Sequence, residues 1–140
     1  MAKRIFSFIG LVALMVLMTG VLSAAAPLPV TTFTLVGGGL PAVMNVGETY
    51  TVVVHVTSDQ SFTSVQAMPD FQYAGKGVVA VKGGNRVGQG KDATLKITFK
   101  AKSSTAKMTN GVAPVSVVVG VRYGNGYVAV QRYDFFVRVP

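Results

Sequence analysis

Few side chains in this 140-residue chain can do bond-breaking chemistry. The only histidine, His55, sits in YTVVVHVTS (Tyr50 to Ser58); the acids are Glu48, Asp59, Asp70, Asp92 and Asp134, and there is no cysteine. A catalytic histidine needs a nucleophile on one side and an orienting acid on the other. No acid lies within two residues of His55, so such a partner must come from a neighbouring strand. One histidine without cysteine falls short of the three or four ligands that zinc takes. A carboxylate pair facing across a cleft, or the alternate acids of a calcium loop, has no counterpart in the spacing of the five acids. GGNRVGQG (83–90) lacks the lysine-serine pair of a phosphate loop and precedes no helical pattern. Asp59 follows one strand-like run and Asp92 precedes another, so both read as turn residues bonding nearby backbone. The expectation is a protein that is not an enzyme, with no catalytic, cofactor-binding or metal-binding residue and no cofactor. His55 reads as a solvent-facing strand residue.

The elements that carry these residues alternate with period two and end at turn residues, which predicts an all-β domain. The expected strands are Thr31-Val36, Ala42-Asn45, Thr49-Thr57, Ser64-Met68 extending to Tyr73, Val78-Lys82, Ala93-Lys102, Val115-Tyr123 and Tyr127-Val139. Between them stand breakers: Gly37-Gly38-Gly39, Asn45-Val46-Gly47, Ser58-Asp59, Gly83-Gly84-Asn85, Gly88 to Gly90, Asn110-Gly111 and Gly124-Asn125-Gly126. Seven or eight strands at this spacing fit a sandwich of two antiparallel sheets. Alternation puts Leu95, Ile97, Phe99 and Ala101 inward, with Thr94, Lys96, Thr98, Lys100 and Lys102 outward. On the histidine strand, Tyr50, Val52, Val54 and Val56 form the inward set.

Register in the last hairpin follows from burial. A two-residue Asn125-Gly126 turn would place Val117, Val119 and Val121 beside Asp134, Arg132 and Val130. A three-residue loop, Gly124-Asn125-Gly126 with Gly126 left-handed, instead pairs Val115 with Phe135, Val117 with Tyr133 and Val121 with Ala129. Because a one-residue slip flips every side chain, burial outranks the local preference for the shorter turn. Arg122, Arg132, Asp134 and Arg138 then share the outer face, and Gln131 falls on the core side, where it needs a hydrogen-bond partner or an edge position.

The N-terminus has the three parts of a secretory signal: basic Lys3 and Arg4, an apolar run from Ile5 to Leu22, and small residues Ser23-Ala24-Ala25. Residues 1-25 read as a helical signal peptide and 26-140 as one domain, secreted to the extracellular space or cell envelope. Contact with membrane is expected only through an uncleaved signal. Without cysteine, no lipobox is present and apolar burial must carry the stability. Net charge is +8, of which Lys3 and Arg4 contribute two, and charged residues make up 13%, about half the usual share. Lys96, Lys100 and Lys102 form a basic ridge that suits anionic polysaccharide or another envelope polymer. Nucleic acid is not expected, since export and the lack of aromatics among the lysines argue against it. Val118, Val128, Val130 and Phe136 are expected to stand exposed as a protein-contact patch. Val30, Phe33 and Leu35 belong to a strand followed by three glycines, which reads as an ordinary first strand or as a donor-strand arm completing a neighbour's sheet.

NVGETYTVVVHVTS (45–58) resembles the second strand of immunoglobulin-like repeats of secreted and S-layer-associated prokaryotic surface proteins. DATLKITFKAKSSTAKMTNGVAPVSVVVGVRYGNGYVAVQRYDFFVRV (92–139) is similar to the C-terminal half of that family. The resemblance implies an immunoglobulin-like sandwich used for spacing, adhesion or assembly, and it brings no catalytic set with it. The expected function is a structural or adhesion module of the cell surface working through contacts with other surface proteins or itself, in a filament or layer. A soluble binder of anionic carbohydrate is the alternative.

Overall fold

A computed structural model describes residues 27–70, 77–84 and 87–140. The leader read over 1–25 and the strand extension to Tyr73 lie outside the described residues. Among those described the chain is all-β: β1 (Thr31–Val36), β2 (Thr49–Pro69), β3 (Val79–Lys82), β4 (Gly90–Ala101), β5 (Ala113–Tyr123) and β6 (Val128–Val137). A 3-10 turn spans Thr109–Gly111, and Asn110 within it is left-handed at φ 57°.

All pairings are antiparallel, and the six strands form one hydrogen-bonded sheet in the order β3-β4-β2-β5-β6, with β1 also on β2. The sequence leads one to expect two separate strands flanking a Ser58-Asp59 turn. Instead β2 runs unbroken for 21 residues. Side chains take over the hydrogen bonding where a turn would have formed. Asp59 Oδ1 accepts from Val30 N, and Ser58 Oγ accepts from Gln60 N. Asp59 is therefore a clip onto β1, not the local turn residue its sequence position implies. The segment Ala42-Asn45 makes only an isolated bridge, Val43 to Arg138.

Along β2 the register slips against β4 between Thr57 and Phe62, and against β5 between Phe62 and Ser64. Bulges of this kind change which parity faces inward. Val52, Val54, Val56 and Phe62 are buried before the second slip, and Val65 and Ala67 after it. One edge of β2 serves β1 and then β5, so β2 joins the two halves of the sheet. β4 and β6 lie three places apart in the strand order, yet the rings of Phe99 and Phe135 pack edge to face at 5.7 Å. The sheet therefore curls around its core.

That core is the alternating inward set. Leu95, Ile97, Phe99, Ala101, Val115, Val117, Val119 and Val121 are all fully buried. Tyr50, expected on the inward side, is instead 38% exposed at the end of its row, one residue into β2. The last hairpin has the register that burial demanded: Val115 pairs with Phe135, Val117 with Tyr133 and Val121 with Ala129, and Gly126 is left-handed at φ 89°. Gln131 is exposed on this edge strand and its amide donates to Arg132 O.

Candidate functional site

His55 and Asp92 come together from adjacent strands. Thr57 pairs with Asp92 and His55 with Thr94, so the histidine and the acid are diagonal neighbours on the outer face. His55 Nε2 lies 2.8 Å from Asp92 Oδ1, with side-chain exposures of 39% and 68%. Asp92 thus belongs to β4 and orients the ring, where the sequence order had placed a local turn. Among the described residues Asp92 is the ring's only hydrogen-bond partner, and no hydroxyl bonds to it as a nucleophile would. An open, solvated carboxylate-imidazole pair of this kind contributes about 0–1 kcal/mol.

The basic ridge forms on the same side of the sheet. Lys96 and Lys100 point outward from β4, alternating with Thr94 and Thr98 along the same face. β3 adds a residue that the sequence reading missed, Lys82, paired with Thr98 and beside Lys100. Lys82, Gly83, Thr94, Lys96 and Thr98 line one shallow depression. Lys102 lies just past β4, exposed, its backbone N donating to Val78 O. The missing signal was pairing across strands: nothing local to VAVK (79–82) says which strand it will join.

The most elaborated surface lies on the other half of the sheet, where β2, β5 and β6 present one face. Val128, Val130 and Phe136 are 43%, 63% and 64% exposed there. Val118 is only half-buried, because Met68 and Arg132 flank it as its pairing partners. Met68 itself, 53% exposed, extends the apolar area beyond the residues expected from sequence. Set into this surface is a polar group of four. Arg132 donates from Nη1 to Asp70 Oδ2 and from Nε to Asp134 Oδ1 at 3.0 Å, while the hydroxyl of buried Ser116 donates to Asp134 Oδ1. The Ser116 hydroxyl and Arg132 hold the Asp134 carboxyl below its ordinary range, against a smaller opposing effect of burial. The bond to Asp70 leads in holding the Arg132 guanidinium more firmly protonated than usual. Burial pushes the Tyr133 phenol up.

Asp70, Pro114, Ser116, Arg132, Asp134, Phe135 and Phe136 line an open hollow of about 770 Å³. Ser116 gives its proton to a carboxylate held ionised, so it lacks the imidazole that would activate it. The Arg132 fork is already engaged by two carboxylates. What remains is an exposed aromatic ring, a proline and aliphatic groups around a fixed charge pattern. Among the described residues no group of three potential metal ligands occurs, and no helix is long and apolar enough to cross a membrane.

The donor-strand residues fall on β1 and just before it. Phe33 and Leu35 are half-buried on the inward side and pack against the core, and Val30 is 64% exposed. β1 lies on its own β2 from Thr31 opposite Ser58 to Val36 opposite Val53.

No protein-family profile matches the chain, and no curated protein matches its sequence. Solved structures with a similar course of the backbone include domains 4 and 5 of the S-layer protein SbsC, at 13% identity and TM-score 0.45, covering 79% of this chain and 53% of that one. The native conformation of E. coli alpha-2-macroglobulin matches at 15% identity and TM-score 0.46, over 82% of this chain and 7% of that one. AvmM, which catalyzes macrocyclization in alchivemycin A biosynthesis, matches at 12% identity and TM-score 0.41, over 80% and 89%. The chain spans about half of the SbsC structure and a small part of the macroglobulin. One of the three is an enzyme and one an S-layer protein, and at these TM-scores none bears on what this chain does.

Proposed function

We propose that this chain is a secreted, non-catalytic structural or adhesion module of the cell surface, built as a two-layer immunoglobulin-like sandwich and acting through protein-protein contacts. The basic, apolar and small-residue segments of the N-terminus support export. The meeting of Phe99 and Phe135 across the core supports the two-layer reading. The observation that carries the proposal is the outer face of β2, β5 and β6. Met68, Val128, Val130 and Phe136 stand exposed around the Asp70-Arg132-Asp134 group. Burying an aromatic anchor beside a pre-paired arginine is how many interfaces concentrate their binding energy.

The test is a double substitution, Val130→Thr with Phe136→Ser, followed by sedimentation and electron microscopy across protein concentrations. The unaltered protein is expected to self-assemble or retain a surface-protein partner, and the variant to lose that association at an unchanged melting temperature. Equal association by both proteins would refute the role of this face.

A second reading, binding of anionic polymer, draws support from Lys82, which brings a third ammonium beside Lys96 and Lys100. It predicts retention on a sulfated polysaccharide column that weakens with salt and with Lys96→Glu. Retention that is the same with and without that substitution would dismiss it.

A further inference from the structure

We infer that the segment Pro27 to Val36 is an exchangeable strand, and that its second seat is the same groove on another copy of this chain. This names a partner for the contact-driven reading above and uses a groove on β2, whose neighbouring cleft shares Val128 and Val130 with that face. β1 is bonded to the sheet through β2 alone. The Val30-Asp59 backbone bond fixes the alternation, so the backbone groups of Thr31, Phe33 and Leu35 point away from β2. There the segment borders an open cleft, which Pro29, Thr31 and Phe33 line from one side and Tyr127 with Val128 to Gln131 of β6 from the other.

Edge strands of natural sheets usually carry charges that discourage pairing with another molecule. Residues 27 to 47 contain none, in a chain of net charge +8. The groove is shaped for this segment, since it already holds one copy. Its clips are side chains on the remainder of the fold. Asp59 Oδ1 accepts from Val30 N at 2.8 Å, Gln60 Nε2 donates to Pro27 O at 3.0 Å, and the Tyr123 hydroxyl meets Thr31 Oγ1 at 2.6 Å. Every one of these forms equally well when the strand comes from a second copy.

The link to the body of the fold is Gly37-Gly38-Gly39, all left-handed at φ 76°, 84° and 90°. Nothing lies within 4 Å of where a Cβ would stand on Gly37 or Gly38. Three such glycines can open from a turn into an extended connection without steric cost. Exchange then conserves the contacts of the strand and joins copies through backbone hydrogen bonds.

The chain has no cysteine, so a cysteine pair reports directly on which copy supplies the strand. Thr32 and Thr57 are partners in the β1-β2 register, on the outer side. By the same alternation they are a hydrogen-bonded pair, with Cα atoms about 5.5 Å apart, within disulfide reach. Chains carrying only Thr32→Cys and only Thr57→Cys are refolded together and oxidised. Exchange predicts a covalent heterodimer as the main product at high concentration, retained when Phe136→Ser is also present. Monomers alone in that mixture, with a chain carrying both substitutions closing its disulfide within itself at the same concentration, would overturn the inference. Isotope-filtered NMR on a mixture of labelled and unlabelled natural chains gives an independent check. Contacts between Phe33 of one copy and Val56 of another are expected, and purely intramolecular ones would overturn it. Phe136 lies outside that cleft, so loss of association in a Phe136→Ser protein with exchange intact assigns failure or success to each surface separately.

Discussion

The hydroxyl of Tyr123 lies 2.7 Å from Ser58 Oγ, although the two residues are 65 positions apart. It also lies 2.6 Å from Thr31 Oγ1. Three strands meet here: β2 has β1 as its neighbour up to Ser58 and β5 from Phe62 onward, and Tyr123 ends β5. The ring of Tyr123 is buried against Phe62 while its oxygen fills the gap in the ladder. A joint between two halves of a sheet leaves polar groups that must be satisfied, and one phenol bonds to two of them.

Tyr123→Phe should therefore cost more than a surface hydroxyl would. Removing the oxygen leaves Ser58 and Thr31 partly buried without this partner, an expected loss of about 1–3 kcal/mol. Urea unfolding of the two proteins measures it, and an unchanged midpoint would show that water replaces the phenol.

Leu95 is fully buried in the middle of β4. Leu95→Ala should destabilise the domain by about 2–5 kcal/mol through lost burial and the cavity left behind. A loss below about 1 kcal/mol by thermal or urea melts would mean that the core around β4 collapses to fill the space.

At Gly39 the backbone has φ 90°, and a Cβ would stand 2.8 Å from Phe135 Cε1 and 3.0 Å from Leu35 Cδ2. Gly39→Ala meets both strain and overlap, with an expected cost of about 1–3 kcal/mol. Gly38→Ala meets only the strain of φ 84°, with open space around it. The melting temperature of the Gly39 variant should fall below that of the Gly38 variant, and the reverse order would contradict the packing described.

Asp134 has a folded pKa below its ordinary 3.8. A depressed carboxylate stabilises the fold above the unfolded value and ceases to do so as pH falls through the folded one. Melting temperature should thus decline as the solution is acidified below about 4, and Asp134→Asn should flatten part of that decline. Identical acid profiles would show that Asp134 takes no part.

His55→Ala should leave stability within about 1 kcal/mol, since the pair with Asp92 is solvated. It should also leave assembly and polymer retention unchanged. Loss of a defined activity on this substitution would revive a catalytic reading of the histidine.

Residue types in local order determined a good deal of this protein. The period-two pattern of ATLKITFKA (93–101) assigns its buried and exposed faces without reference to any other strand, because successive side chains must point to opposite sides. The register of the last hairpin was legible for the same reason. Only one pairing of VSVVVGV with VAVQRYDFF sets Val115, Val117 and Val121 on the same face as Phe135, Tyr133 and Ala129.

Tertiary structure alone decided what depends on distant partners. Ser58-Asp59 looks like a turn, yet it continues β2 because Tyr123 and Val30 arrive to bond with it. Lys82 joins the basic ridge, Met68 the apolar face and Asp92 the histidine through strand pairings of long sequence separation. A pleated strand specifies its own two faces by local geometry, whereas the identity of its neighbours follows from how the whole set of strands buries its apolar sides at once.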